Sequence, residues 1–133
     1  MPLVRITAID SRDDTTLAAL GDAVHDALVE TVRIPPDDRF QILQRIPARD
    51  LVADPQYFGI ERRDPVIVEV TLRAGRDDAT KRAFYRRVVE LAEARAGVRP
   101  ADITIVLREN GLADWSFGEG VAQYAPAQPV AAP

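Results

Sequence analysis

The chain begins with a methionine followed by a proline, a pair that can supply an uncommon catalytic group. Initiator methionine is usually removed when a small residue follows it, and removal would leave Pro2 with a free secondary amine. An α-amino group has a reference pKa of about 7.7–8.0, and the amine of proline is somewhat more basic. Such an amine acts as a general base when neutral and polarises a carbonyl when protonated. Pro2 is therefore a candidate catalytic residue, although many proteins begin with Met-Pro without any such role.

Two arginines could hold the substrate of such an amine. Arg73 and Arg76 follow a predicted strand whose apolar residues alternate along one face from Val66 to Leu72. A pair of guanidinium groups is suited to binding a carboxylate. Because arginines at a strand end are often only solvated, this hypothesis depends on their lying close to Pro2.

An acidic residue and an aromatic loop complete the candidate site. Asp38 follows a Pro-Pro-Asp sequence, so it serves either as a turn or cap residue or as a catalytic carboxylate, and both readings stay open. Trp115 and Phe117 lie between Gly111 and Gly118, after the last predicted core strand. They belong either to the core or, as their loop position favours, to the wall of a pocket.

The elements that must position these residues come from an internal repeat at an offset of 64 residues, which aligns Arg12-Asp13-Asp14 with Arg76-Asp77-Asp78 without gaps. Each copy is predicted to form a strand, a helix and a strand. The helices are expected at about 13–32, with Ser11 and Asp14 as a capping box, and at about 77–96, with Gly97 as the C-terminal cap. The second strands are expected at 40–44 and 103–107.

These elements predict an α+β fold in which a tandem βαβ repeat forms a four-stranded mixed sheet with two helices on one face. The single domain, residues 1–133, divides into repeat one at about 2–46, a connection at 47–65, repeat two at about 66–110, and a C-terminal loop and tail at 111–133. A pseudo-twofold axis pairs the two first strands antiparallel, so that Arg73 and Arg76 flank Pro2. The tail from 123 is expected to be extended or disordered unless it packs on a neighbouring subunit.

The composition of the chain argues against several classes of function. The net charge of −4 disfavours nucleic acid as a partner, and no apolar run has the length of a membrane span. There is no cysteine, and His25 is the only histidine, so neither a metal site nor a cofactor is expected. We expect a cytoplasmic protein. The apolar residues on the sheet face away from the helices are too many for a solvated surface, and they indicate burial against other subunits.

The sequence resembles the tautomerase superfamily, with its 4-oxalocrotonate tautomerase-like fold, and in particular the branch that includes malonate semialdehyde decarboxylase. The resemblance covers nearly the whole chain. It is carried by the Met-Pro-Leu start, Asp-Ala-Val-His at 22–25, Pro-Asp-Asp-Arg-Phe-Gln-Ile at 36–42, Val-Thr-Leu-Arg at 70–73 with Arg76, Asp-Trp-Ser-Phe-Gly at 114–118, and Gly120 with Ala122, Gln123 and Tyr124.

This resemblance implies a homotrimer of tandem βαβ chains that acts on a small carboxylate. It assigns the catalytic proline to Pro2, the aspartate to Asp38, and a hydrophobic wall to Trp115, Phe117 and Tyr124. The decarboxylase has two arginines separated by one residue, whereas this chain has Ala74 at the first of those places and Arg73 one position earlier. The three-residue spacing resembles other members of the superfamily.

The leading hypothesis is a proline-dependent tautomerase of a small 2-oxo or 3-oxo acid, with Arg73 and Arg76 holding the carboxylate and Pro2 as the general base. Apolar walls and nearby guanidinium groups would lower the pKa of its amine toward working pH. One alternative is decarboxylation of a 3-oxo acid, or hydration of an unsaturated acid, with protonated Pro2. The other is a non-catalytic βαβ-repeat module that binds a ligand.

Overall fold

A computed structural model describes residues 1–125 and 127 of the chain. Its strands are β1 (Leu3–Ile9), β2 (Phe40–Ile46), β3 (Val66–Arg73) and β4 (Ile103–Asn110), and its helices are α1 (Asp14–Ala27) and α2 (Asp78–Ala96). The expectation for the tail lies outside the described residues at 126 and 128–133. None of the described helices is both long enough and apolar enough to cross a membrane.

The four strands form one mixed sheet in the order β2-β1-β3-β4. Within each repeat the strands are parallel, β1 with β2 and β3 with β4, whereas β1 and β3 pair antiparallel at the centre. The predicted tandem βαβ sheet is confirmed. A right-handed crossover in each unit places α1 and α2 on the same face, where they pack against each other.

The core lies between this sheet face and the helices. Alternate residues of β1 and β3, including Val4, Ile6, Val68 and Val70, are fully buried there. Burying each of these side chains contributes roughly 1.5–3 kcal/mol. Gly21 lets α1 approach β2 closely, because a Cβ atom at this position would lie 2.8 Å from Oε1 of Gln41.

The ends of the two helices lie at equivalent positions of the repeat, and one predicted cap differs from the structure. Asp13 caps α1 and Asp77 caps α2, each accepting a hydrogen bond of 2.8 Å from the backbone N–H of the threonine three residues later. The prediction that Ser11 caps α1 with Asp14 is wrong, because Ser11 lies in the turn before the helix and Asp13 has the reach to N3. Gly97 ends α2 in the left-handed conformation, as predicted.

The first helix ends differently from the second. After Ala27 the chain continues as a π-helical segment, Leu28–Val32, in which Leu28 and Val32 are buried. Arg33 then adopts a left-handed backbone conformation, with φ 65° and ψ 36°. This segment leads into Ile34-Pro35-Pro36 and from there to Asp38.

Candidate active site

The antiparallel pairing of β1 with β3 brings the start of the chain to the end of β3. Leu3 pairs with Thr71, so Met1 and Pro2 lie beside the residues that follow Thr71. A cavity of about 200 Å³ opens at this point, and we call it the Met1 cavity. Its wall consists of Met1, Arg33, Ile34, Pro35, Arg73, Arg76, Leu112 and Tyr124. Pro2 is buried between Met1, which lines the cavity, and the first residue of β1.

Asp38 contacts the start of the chain. Its carboxylate accepts a hydrogen bond from the terminal amine of Met1, and the two groups form a largely buried ion pair. The loop that carries Asp38 is held by His25, whose Nε2 lies 2.8 Å from the carbonyl oxygen of Pro36. His25 is thus a buried imidazole with a backbone partner.

Asp102 occupies the equivalent position in the second repeat and explains part of the role of Asp38. It is buried, and its Oδ1 accepts from the backbone N–H of Arg63 at 2.8 Å and of Asp64 at 3.4 Å. Each aspartate therefore fixes the segment that enters the first strand of a repeat. Asp38 differs because its donor is a charged amine, so it also places a negative charge at the chain terminus.

The arginines of the Met1 cavity form a cationic pair. Arg76 donates a hydrogen bond of 2.9 Å to the carbonyl oxygen of Arg73, which fixes its side chain against the end of β3. Burial, together with the neighbouring charge of Arg73, lowers the pKa of Arg76 from its usual value, although Glu109 acts in the opposite direction. Repulsion between the two guanidinium groups favours an anion in the cavity.

The aromatic residues line a second opening of about 450 Å³, which we call the aromatic cavity. The rings of Trp115 and Phe117 are stacked in parallel with centroids 5.4 Å apart. Trp115 is anchored by its indole N–H, which donates to Oδ1 of Asn110 at 2.8 Å. Leu3 lines the same cavity, so this apolar wall reaches β1 one residue after Pro2.

Tyr124 connects the two cavities. Its ring packs edge-on against Phe117 with centroids 5.3 Å apart, and it also lines the Met1 cavity. The side chain of Gln123 stabilises the loop between them, since it accepts from the N–H of Phe117 at 2.9 Å and donates to the carbonyl of Gly118 at 3.2 Å. Gly118 has a φ of 140°, a conformation that favours glycine at this turn.

The structure therefore brings the candidate residues to one end of the sheet, in two groups. Pro2 and Asp38 lie at the chain start, with Arg73 and Arg76 beside it. The second group is the aromatic wall, of which only Tyr124 reaches the Met1 cavity itself. An amine, a cationic pair and an apolar wall in this arrangement can bind a small carboxylate and move a proton on it.

Sequence reasoning missed one residue of this region, Arg33. It lines the Met1 cavity and also an adjoining opening of about 370 Å³, which we call the polar cavity and which shares Arg73 and Arg76 with it. The signal that could have found it is the repeat itself, because Arg33 aligns with Gly97, the glycine predicted to end the second helix.

Comparison with known proteins identifies relatives along the whole chain. Two family models, each described as a tautomerase enzyme, match residues 2–60 and 38–118. Two proteins of Bacillus subtilis (strain 168) are similar over 124 residues. Probable tautomerase YrdN is 34% identical, with 93% of this chain and 96% of that protein covered. Probable tautomerase YusQ is 35% identical, with 92% and 98% covered.

Solved structures give the same result. FG41 malonate semialdehyde decarboxylase inhibited by 3-bromopropiolate is 41% identical, with a TM-score of 0.87 over 92% of this chain and 93% of that one. A malonate semialdehyde decarboxylase solved in wild-type, proline-to-alanine mutant and inactivated forms is 31% identical, with a TM-score of 0.86 over 92% and 95%. A fused 4-OT symmetric trimer is 25% identical, with a TM-score of 0.75 over 92% and 97%.

These matches are family-wide and cover both repeats, so they establish enzyme character and disfavour the non-catalytic binding module. The relatives include both tautomerases and decarboxylases, and the two decarboxylase structures share the fold of this chain. The chain belongs to the tautomerase family of enzymes.

Proposed function

We propose that this enzyme is a proline-dependent tautomerase of a small 2-oxo or 3-oxo carboxylic acid. The observation that carries the proposal is the Met1 cavity, in which the start of the chain faces Arg73 and Arg76. Removal of Met1 frees its volume in this cavity and leaves the nitrogen of Pro2 as the terminal amine there. No metal or cofactor takes part in the proposed reaction.

In the proposed reaction the substrate carboxylate binds to Arg73 and Arg76. The neutral nitrogen of Pro2 removes a proton from the carbon beside the carbonyl, the C–H electron pair forms the carbon–carbon double bond, and the carbonyl oxygen becomes negative. Pro2 then returns the proton to that oxygen, which completes the keto-to-enol conversion. The nearby guanidinium groups stabilise the negative charge as it develops. Trp115, Phe117 and Tyr124 would hold the apolar part of the substrate.

A second candidate function is decarboxylation of a 3-oxo acid or hydration of an unsaturated acid. It is favoured by the ion pair of Asp38 with the terminal amine, and by the 41% identity with a malonate semialdehyde decarboxylase. A carboxylate beside the amine of Pro2 would stabilise its protonated form. Protonated Pro2 would then polarise the carbonyl while the carbon–carboxylate bond breaks and carbon dioxide leaves, or Asp38 would orient a water molecule for addition.

We further propose that the enzyme assembles as a homotrimer. The sheet face away from the helices carries Leu3, Phe40, Ile42 and Val106, each about two-fifths exposed (39% to 45%). A covering subunit would bury this apolar surface. The fused 4-OT relative that shares the fold is a symmetric trimer.

The experiment that separates the two reactions is a pH–rate profile of tag-free enzyme with phenylenolpyruvate and with malonate semialdehyde. A base must be neutral, so tautomerase kcat/KM is expected to rise with pH through the pKa of the Pro2 amine and then to level off. The tautomerase proposal would be overturned in favour of the acid mechanism by two results together. Decarboxylation would be faster than tautomerisation, and activity would fall as the pH rises through the pKa of the Pro2 amine.

A further inference from the structure

A further cavity lies at the end of the sheet opposite the Met1 cavity. Its volume is about 410 Å³, and we call it the opposite cavity. It opens where β1 ends, and its wall includes Ile9 and Pro65. The offset of 64 residues aligns these two residues with Arg73 and Met1, which line the Met1 cavity. The opposite cavity is therefore the repeat counterpart of the proposed active site.

The opposite cavity lacks the groups that the proposed reaction needs. Val66 stands at the repeat position of Pro2, but it lies within the chain and is fully buried, so it has no terminal amine. The repeat counterpart of Arg76 is Arg12, whose guanidinium group lies 3.6 Å from the carboxylate of Asp102. The second repeat position thus keeps a cavity without the chemistry of the first.

The polarity of the opposite cavity is the reverse of that of the Met1 cavity. Its inner residues are apolar, because Ile9 takes the place of Arg73, and Ile9 and Leu51 are only 6% and 7% exposed. Its outer residues include Arg49 and Arg63, whose side chains are 83% and 62% exposed. A ligand with a hydrocarbon chain would bury that chain against the inner residues and leave an anionic group beside the arginines.

Positive charge dominates the wall of the opposite cavity. Three arginines line it, and Asp64 is the one acidic residue in the described wall. Two further carboxylates lie outside the wall, Asp50 at 3.9 Å from Nε of Arg49 and Glu61 at 3.3 Å from Nε of Arg63. Exposed ion pairs of this kind contribute little to stability, so both guanidinium groups can exchange these partners for the carboxylate of a ligand.

Hydrogen bonds hold this wall in place without a ligand. Arg62, the third arginine of the wall, donates from Nη1 to three carbonyl oxygens of the connection at 3.1 to 3.2 Å, those of Asp54, Tyr57 and Ile60. Where the connection enters β3, Arg12 donates a hydrogen bond of 2.7 Å to the carbonyl oxygen of Asp64. The cavity is thus preformed, which lowers the ordering cost of binding.

We propose that the opposite cavity is a second ligand-binding site, which takes an aliphatic monocarboxylate with its hydrocarbon chain inward and its carboxylate at Arg49 and Arg63. The site binds this ligand without converting it, because it has no terminal amine. The inference is independent of the proposed function, because the described wall of the opposite cavity contains none of the candidate site residues.

The test is a methyl NMR titration of tag-free enzyme with hexanoate and with hexan-1-ol, which has the same chain length and no charge. Methyl signals of Leu51 and Val52 report on the opposite cavity, whereas those of Leu3 and Leu112 report on the aromatic cavity and the Met1 cavity. We expect saturable shifts of Leu51 and Val52 with both probes. The Kd of hexanoate from these shifts should be about fivefold lower, the upper range for one exposed ion pair.

Three variants locate the binding groups. Replacing both Arg49 and Arg63 by glutamine should make the two Kd values equal and leave that of hexan-1-ol within about twofold. The matched control replaces Arg82 and Arg86, two exposed arginines of α2, by glutamine and should change neither Kd. Ala53→Phe fills the cavity with the residue found at its repeat position in the aromatic wall, and it should abolish binding of both probes there.

The inference would be overturned by any of three results: no saturable shift of Leu51 and Val52, equal Kd values in the unmutated enzyme, or a preference for hexanoate that survives loss of both arginines. Failure of the proposed function is a separate outcome. Enzyme without tautomerase turnover would still show the Leu51 and Val52 shifts, and active enzyme without them would contradict this inference alone.

Discussion

At the scale of residues, the two repeats use equivalent side chains in opposite ways. Arg12 of the first repeat lies 3.6 Å from the buried carboxylate of Asp102 in the second repeat. Their repeat partners, Arg76 and Asp38, do not pair, because Asp38 is engaged by the amine of Met1. The charge of Arg12 is neutralised within the fold, and that of Arg76 is left available for a ligand. This difference supports our proposal of one substrate site per chain.

We therefore expect Arg76→Ala to impair catalysis on a carboxylate substrate. The loss in kcat/KM should be at least about 2 kcal/mol, or roughly thirtyfold, because a half-buried charged hydrogen-bonding partner is removed. Arg82→Ala, which removes an exposed arginine six residues later in the first part of α2, is the matched control and should retain full activity. Circular dichroism verifies that the Arg76→Ala variant is folded. If its kcat/KM is unchanged, the substrate carboxylate binds elsewhere.

At the scale of elements, the repeat explains most of what could be predicted. Alternation in Val66 to Leu72 and the offset of 64 residues together predict the order and pairing of the strands, since both copies must bury the same face. The capping of α1 was missed, although Asp13 and Asp77 occur at the same repeat position before a threonine. Two candidate acceptors compete there, and only the three-dimensional course of the turn decides between Ser11 and Asp13.

The end of the first helix could not be predicted from periodicity. Leu28 and Val32 are buried in the π-helical segment, and apolar residues four apart are also what an α-helix would bury, so the sequence pattern does not distinguish the two kinds of helix. The position of Arg33 depends on this π-helical end and on its own left-handed backbone. This is why Arg33 is not among the seven candidate site residues that the sequence proposes.

The backbone of Arg33 makes a prediction at this scale. Arg33→Gly should raise the free energy of unfolding by about 1 kcal/mol, because it relieves a left-handed conformation at a helix end. Gly97→Ala should lower it by a similar amount at the equivalent position. Urea unfolding at one fixed protein concentration measures both as shifts in midpoint at constant slope. A destabilised Arg33→Gly variant would mean that the arginine side chain supports the fold rather than a ligand.

At the scale of the whole molecule, the site and the assembly surface share the same strands. Leu3 lines the aromatic cavity, and it also lies on the apolar sheet face together with Phe40 and Ile42. The ring of Phe40 packs on Phe117 with centroids 5.4 Å apart, so the covered face would extend to the aromatic wall. Assembly is therefore expected to affect the shape of the site as well as stability.

The assembly prediction is tested by sedimentation equilibrium at micromolar concentration. The unmutated chain should sediment as a trimer, and Ile42→Glu should dissociate it by placing a charge on the apolar face. Ala18→Glu adds the same charge at an exposed position on α1 and serves as the control that should remain trimeric. A stable monomer of the unmutated chain would contradict the proposed assembly.

The central claim is that the amine of Pro2 performs the reaction, and blocking that amine tests it most directly. Tautomerase kcat/KM is measured for tag-free enzyme, shown by mass spectrometry to lack Met1, and for the same chain carrying a Gly-Ser extension before Pro2. The account predicts at least about a 100-fold loss in the extended chain, the scale of general acid–base catalysis, with unchanged circular dichroism. Full activity in the chain with the blocked amine would contradict it.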